Sequence, residues 1–403
     1  MTDVGAGTHF VVRGLRLAAV AASLVAAASG CAWHEDTGGA PAVVATVAAS
    51  PVRPSARQSA AAPCAPAAVL STWSLERRAA QLVVVPAEED DVLAVQPLVA
   101  GGAGGIVLFG SDAPPTLSAD LAALRKAALG GLPPLVMTDE EGGEVQRMAN
   151  LVGNLPWPRT MAATMTADQL RALAEQVGRR MHAAGVTVDL APVLDLSDSP
   201  GPDATYPDGP RSFSVQAPEA AAYGVAFAQG LREAGVTPVV KHFPGLGQAS
   251  YNTDFGAASV PPLSVLEAGS LRPFEAAIRA GVPAVMVGNV TIPGLTGTLP
   301  ASLSSAAVTG LLRRRLGFGG LVLTDSLSAL AVQDAGYAVP QAAVLAIEAG
   351  ADMVLFDSPG PAVTVNAIIA SITAAVTSHQ MAVTRLNDAV QDVLRVKHVS
   401  LCR

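Results

Sequence analysis

The sequence predicts a (β/α)8 TIM barrel forming a single catalytic domain, and three observations carry that reading. From about residue 70 onward, eight short apolar runs alternate with longer Ala- and Leu-rich amphipathic stretches. The runs read as strands buried on both faces, as an all-parallel sheet covered by helices requires. Acidic, basic and amide side chains gather just after those runs, at the strand ends where barrels carry their chemistry.

In chain order, the first segment reads as an export signal over residues 1–30. Arg13 and Arg16 precede an apolar run at 17–28 that is too short for a lasting membrane span. The run ends in Ala28-Ser29-Gly30-Cys31, which resembles the lipobox of bacterial lipoproteins, although the usual Leu is replaced by Ala28. Lipidation of Cys31 would leave the mature chain anchored to the membrane on its extracytoplasmic face; secretory cleavage at another point is the competing reading. Residues 31–68 are rich in Ala, Pro, Ser, Thr and Val without helical or strand period, so they are expected to act as an extended tether. The catalytic domain is assigned to 69–403.

Within that domain, strands are expected at 81–85, 105–109, 135–138, 186–190, 238–241, 284–287, 321–324 and 352–356. Helices are expected between them, among others at 167–184, 218–234 and 263–280, with Gly185, Gly235 and Gly281 where a C-cap belongs. A doubly wound sheet is the alternative, but its Gly-rich dinucleotide fingerprint is missing after the first strand. Gly101-Gly102-Ala103-Gly104-Gly105 precedes a strand instead and reads as a turn. No second domain is expected. A hydrophobic content of 50% suffices for a large core, and a net charge of -8 with scattered Lys and Arg argues against nucleic acid as a partner. There is no HExxH, no paired-Cys motif and no cluster of His, so neither metal nor cofactor is expected. If Cys31 carries lipid, Cys64 and Cys402 remain in an oxidising compartment. The first and last elements of a barrel are neighbours, so a Cys64–Cys402 disulfide is expected.

The third strand runs into Thr138-Asp139-Glu140-Glu141-Gly142-Gly143-Glu144-Val145-Gln146-Arg147, and the fourth into Ala191-Pro192-Val193-Leu194-Asp195. The fifth runs into Lys241-His242-Phe243-Pro244-Gly245 and the seventh into Thr324-Asp325-Ser326-Leu327. On position alone Asp139 and Asp325 read equally well as helix N-caps, Lys241-His242 as a loop pair, and Arg147 and Arg211 as surface ion-pair partners. Taken together in this order, however, the segments from about Leu75 to the C-terminus resemble glycoside hydrolase family 3, in its single-domain β-N-acetylglucosaminidase branch. The resemblance implies that Asp325 is the nucleophile of a retaining glycosidase. It makes Asp139, Arg147, Arg211, Lys241 and His242 ligands of the sugar hydroxyls, Arg211 through the segment Gly209-Pro210-Arg211-Ser212-Phe213. Glu140, Glu141, Asp189 and Asp195 are left as supporting residues. The implied partner is a carbohydrate containing N-acetylglucosamine, acted on by a monomer, with β-glucosidase-type specificity as an alternative.

The sequence departs from its family in one place. The branch carries its acid/base as a His, paired with an Asp, on the loop after the fifth strand, in an Asp-Ser-His segment. Here the aligned residues are Asn252-Thr253-Asp254. Of the six histidines only His242 falls at the active face, so Asp254 is the expected replacement acid. A glycan-binding lipoprotein with little turnover is the competing functional reading.

Overall fold

The computed structural model describes residues 66–402, and the expected fold is present in it. Eight strands form a closed barrel: β1 (Val83–Glu88), β2 (Gly105–Phe109), β3 (Leu135–Thr138), β4 (Val188–Asp189), β5 (Thr237–Phe243), β6 (Ala284–Val287), β7 (Leu321–Ser326) and β8 (Met353–Leu355). Each pairs in parallel with the next in sequence, and β8 closes on β1 through Val83↔Val354 and Val84↔Leu355. Residues 82–85, 106–108, 239–240, 284–287 and 321–323 are buried throughout, because the barrel interior covers one face of each strand and the helices cover the other.

The local rules act where the sequence signals them. The helix Ala167–Ala184 begins in a reciprocal capping box: Gln169 N–H donates to Thr166 Oγ1, and Thr166 N–H to Gln169 Oε1. It ends at Gly185, which takes the left-handed conformation at φ 106°. Gly104 is required for a different reason. A Cβ there would lie 1.8 Å from the carbonyl oxygen of Gln81, so the glycine run before β2 lets the chain pass against the start of β1.

Several boundaries differ from expectation. The helix expected over 263–280 is two helices, Leu263–Ala268 and Leu271–Arg279. Pro273 lacks an N–H and fits only the first turn of a helix, so the chain breaks at Gly269 and starts again at Leu271. β5 and β7 also run further than expected, which puts His242 and Asp325, beside the already expected Lys241, on strands and not in loops. Cys31 and Cys64 lie outside the described residues. Cys402 is disulfide-bonded. Among the described residues no helix is long and apolar enough to cross a membrane.

Candidate active site

The C-terminal strand ends surround a cavity of about 350 Å3, a volume suited to one small ligand. Val107, Leu190, Met286 and Leu355 give it an apolar floor, and every expected site residue in the described region lines it: Asp139, Arg147, Arg211, Lys241, His242, Asp254 and Asp325. Residues spread over nearly two hundred positions thus converge because they lie at or after the C-terminal ends of parallel barrel strands.

The walls are organised by a carboxylate that sequence reading left in a supporting role. After β3 the chain forms a two-stranded ribbon, Glu140–Gly142 with Val145–Gln146. Side chains alternate along it. Glu140 faces inward to the ribbon, accepting from Gln146 Nε2 (2.9 Å), Arg147 N–H (2.8 Å) and Met148 N–H (2.6 Å). Glu141 faces the cavity, where Arg211 grips it through Nε and Nη2 (2.8 Å each) and Lys241 Nζ stands 2.6 Å away. These two cations hold the Glu141 carboxyl well below the usual range, outweighing a burial that alone would raise it. Lys241 Nζ also donates to Asp139 Oδ1 at 2.5 Å, and its pKa is raised because Asp139 and Glu141 overcome desolvation. Lys241 and His242 are therefore not an exposed pair; they are 3% and 5% exposed. Arg211 is no surface arginine either: its remaining contact is with the carbonyl of Pro207 at 2.8 Å.

Asp325 caps no helix. It ends β7 and accepts the N–H of Ser326 at 2.7 Å. Burial raises its pKa, His242 lowers it and Asp254, on the same cavity, raises it. Asp254 belongs to a loop tied down on two sides. Asn252 N–H and Nδ2 donate to the carbonyls of Ala204 and Asp203, while Ala331 N–H donates to the carbonyl of Thr253. Burial raises the Asp254 pKa too, opposed by Arg211. Among the described residues Arg147 makes no ion pair with a carboxylate; its guanidinium lies 5.7 Å from the Phe109 ring centre, leaving donors for a ligand.

A retaining glycosidase needs one carboxylate at the anomeric carbon, an acid on the leaving-group side and charged groups around the ring hydroxyls. A barrel with that arrangement at its strand ends belongs to the class of glycoside hydrolases. Comparison with known proteins names the family. Residues 74–396 match the glycosyl hydrolase family 3 N-terminal domain, and the chain belongs to glycoside hydrolase family 3. It is 39% identical over 351 residues to the β-hexosaminidase LpqI of Mycobacterium tuberculosis, covering 85% of this chain and 87% of that one. A family 3 glycosyl hydrolase from Mycobacterium smegmatis superposes with a TM-score of 0.75 at 37% identity, covering 83% of this chain and 99% of that one. The β-N-acetylhexosaminidase of Beutenbergia cavernae does so with a TM-score of 0.74 at 32% identity, over 81% and 99%.

Proposed function

We propose that this protein is an exported, lipid-anchored, retaining exo-β-N-acetylglucosaminidase that trims terminal N-acetylglucosamine from cell-wall glycans through a covalent glycosyl-Asp325 intermediate. The observation that carries the reading is the pocket itself, in which Asp325 ends a strand beside a clamp of Asp139, Arg147, Arg211, Lys241 and His242. Relatives named β-hexosaminidases support the choice of sugar. In the first step an Asp325 oxygen bonds to the anomeric carbon as the glycosidic C–O bond breaks, and Asp254 gives its proton to the departing oxygen. In the second, water attacks the glycosyl ester, returns a proton to Asp254 and frees Asp325. The mechanism requires the anion on Asp325 and the proton on Asp254; the Ser326 N–H at 2.7 Å favours charge on Asp325, and burial favours the neutral form of Asp254.

Asp254 in place of the family's His also supports a second reading, a glycan-binding lipoprotein with little turnover. A slow fluorosugar inactivator of N-acetylglucosamine configuration separates them. The proposal expects a mass increase on the peptide holding Asp325, lost in Asp325→Ala, together with release of N-acetylglucosamine from a β-linked disaccharide. An unlabelled, folded protein that binds the sugar without releasing product overturns it.

A further inference from the structure

Asp208 is fully buried and has no assigned part in the reaction, and neither of its carboxyl oxygens has a hydrogen-bond donor. It stands where the chain enters the turn Gly209–Arg211, and the Arg211 guanidinium three residues on is committed to Glu141 and Pro207. Its near neighbours are Asp195 and His242, whose polar atoms lie within 4.8 Å of its own. Asp195, also fully buried, accepts from His242 Nδ1 at 2.6 Å, from His242 N–H at 3.2 Å and from Leu246 N–H at 2.7 Å. The three do not read as ligands of one ion: two ligands of a tetrahedral ion, each at about 2 Å, stand about 3.3 Å apart, whereas 2.6 Å is a hydrogen bond.

Two carboxyls buried side by side cannot both carry charge at tolerable cost. Asp195 receives three donors and Asp208 none, so the charge belongs on Asp195 and the proton on Asp208. We propose that Asp208 is a positioning residue for His242: as a neutral acid it shares its proton with Asp195, holding Asp195 as the anion that fixes the imidazole. His242 then keeps its proton on Nδ1 and offers bare Nε2 to the pocket, where it accepts from a sugar hydroxyl. The groups facing His242 fit this neutral state. Burial first, then Arg211 and Lys241, oppose its protonation; Asp325 favours it, as Asp208 would only if it were an anion, and burial prevails, bringing its pKa down to about 4. The acid on Asp208 withdraws charge from Asp195 and so keeps that balance from tipping toward imidazolium.

The inference rests on the proposed sugar pocket for its functional consequence, but its first readout does not need turnover. In 15N NMR, the full-length protein should show His242 as the Nδ1–H tautomer near pH 7. Asp208→Asn, neutral and able to donate, should keep that signal and a KM for the disaccharide within about threefold of the parent. Asp208→Ala should raise the His242 pKa by about one unit and KM by about tenfold, with a smaller change in kcat. An Asn variant as damaged as the Ala variant would mean that Asp208 acts as an anion, and the proposal fails. An Ala variant with the parent's His242 signal and KM overturns it equally. If Asp208→Ala does not fold, the Asn variant alone decides. Intact NMR behaviour without any hydrolysis would refute the proposed function and leave this inference standing.

Discussion

Replacing Glu141 by Gln tests whether the pocket walls are held by one buried charge. In the parent, Glu141 is 2% exposed and accepts from Arg211 twice and from Lys241 once. Gln is nearly the same size, yet its amide nitrogen turns a donor toward these donors, and the exchange removes the only carboxylate that Arg211 contacts among the described residues. Lys241 keeps Asp139 at 2.5 Å, whereas Arg211 keeps only the Pro207 carbonyl. Breaking a buried pair costs about 3–5 kcal/mol, and the surviving Lys241–Asp139 contact puts the expected loss near the lower end, about 3 kcal/mol. At about 2–4 °C per kcal/mol for a large domain, the melting temperature should fall by about 6–12 °C. The pH dependence has a definite sign. The folded pKa of Glu141 is depressed, so its stabilisation is present above the unfolded value of about 4.3 and is lost as pH falls toward the folded value. Calorimetry from pH 7 down to the acid limit should show the gap between parent and variant closing below about pH 4. Melting within about 1 °C of the parent at pH 7, or a gap that persists in acid, refutes the reasoning.

Other outcomes follow from the same geometry. Asp254→Asn should slow hydrolysis of a β-linked disaccharide by about 100-fold or more, the usual reach of a general acid, while sparing glycosyl-enzyme formation from an aryl glycoside whose leaving group needs no proton. Azide should restore turnover of the aryl substrate, and equal rates on both substrates would make Asp254 a bystander. Because Asp254 must be protonated to act and its pKa is raised, activity should fall as pH rises through that pKa, and this limb should vanish in the Asn variant. Asp352→Ala should cost about 3–5 kcal/mol in a denaturant melt without raising KM. It removes the buried anion between Arg313 (2.5 Å) and Arg385 (2.6 Å), none of which lines the pocket; an unchanged midpoint contradicts this. Cys31→Ala should move the mature protein from the membrane fraction to the soluble one, and a parent already wholly soluble contradicts the anchor.

The strand ends were legible because barrel strands are short apolar runs and their first polar successors are the site. Asp139, Lys241, His242 and Asp325 each follow or end such a run, so order along the chain was enough to bring them to one rim. Adjacent identical residues were not separable by this means. Glu140 and Glu141 differ only in which side of a ribbon they occupy, and the period of two that sends Glu141 into the pocket with Asp139 could be applied only once that ribbon was known. Asp208 gave still less signal. It lies between β4 and the helix Ala217–Glu233, in an irregular stretch with no period to read. Its burial beside Asp195 is purely a product of how that stretch folds over β5. The loop carrying Asp254 falls between these cases. Its position was legible from the Lys-His-Phe-Pro-Gly segment before it, whereas its anchoring to Asp203, Ala204 and Ala331 was not. That anchoring bears on the chemistry. An aspartate is shorter than a histidine and cannot reach the leaving oxygen from a distant loop, so a loop already tied across the pocket edge is the condition under which the proposed Asp254 acid could work.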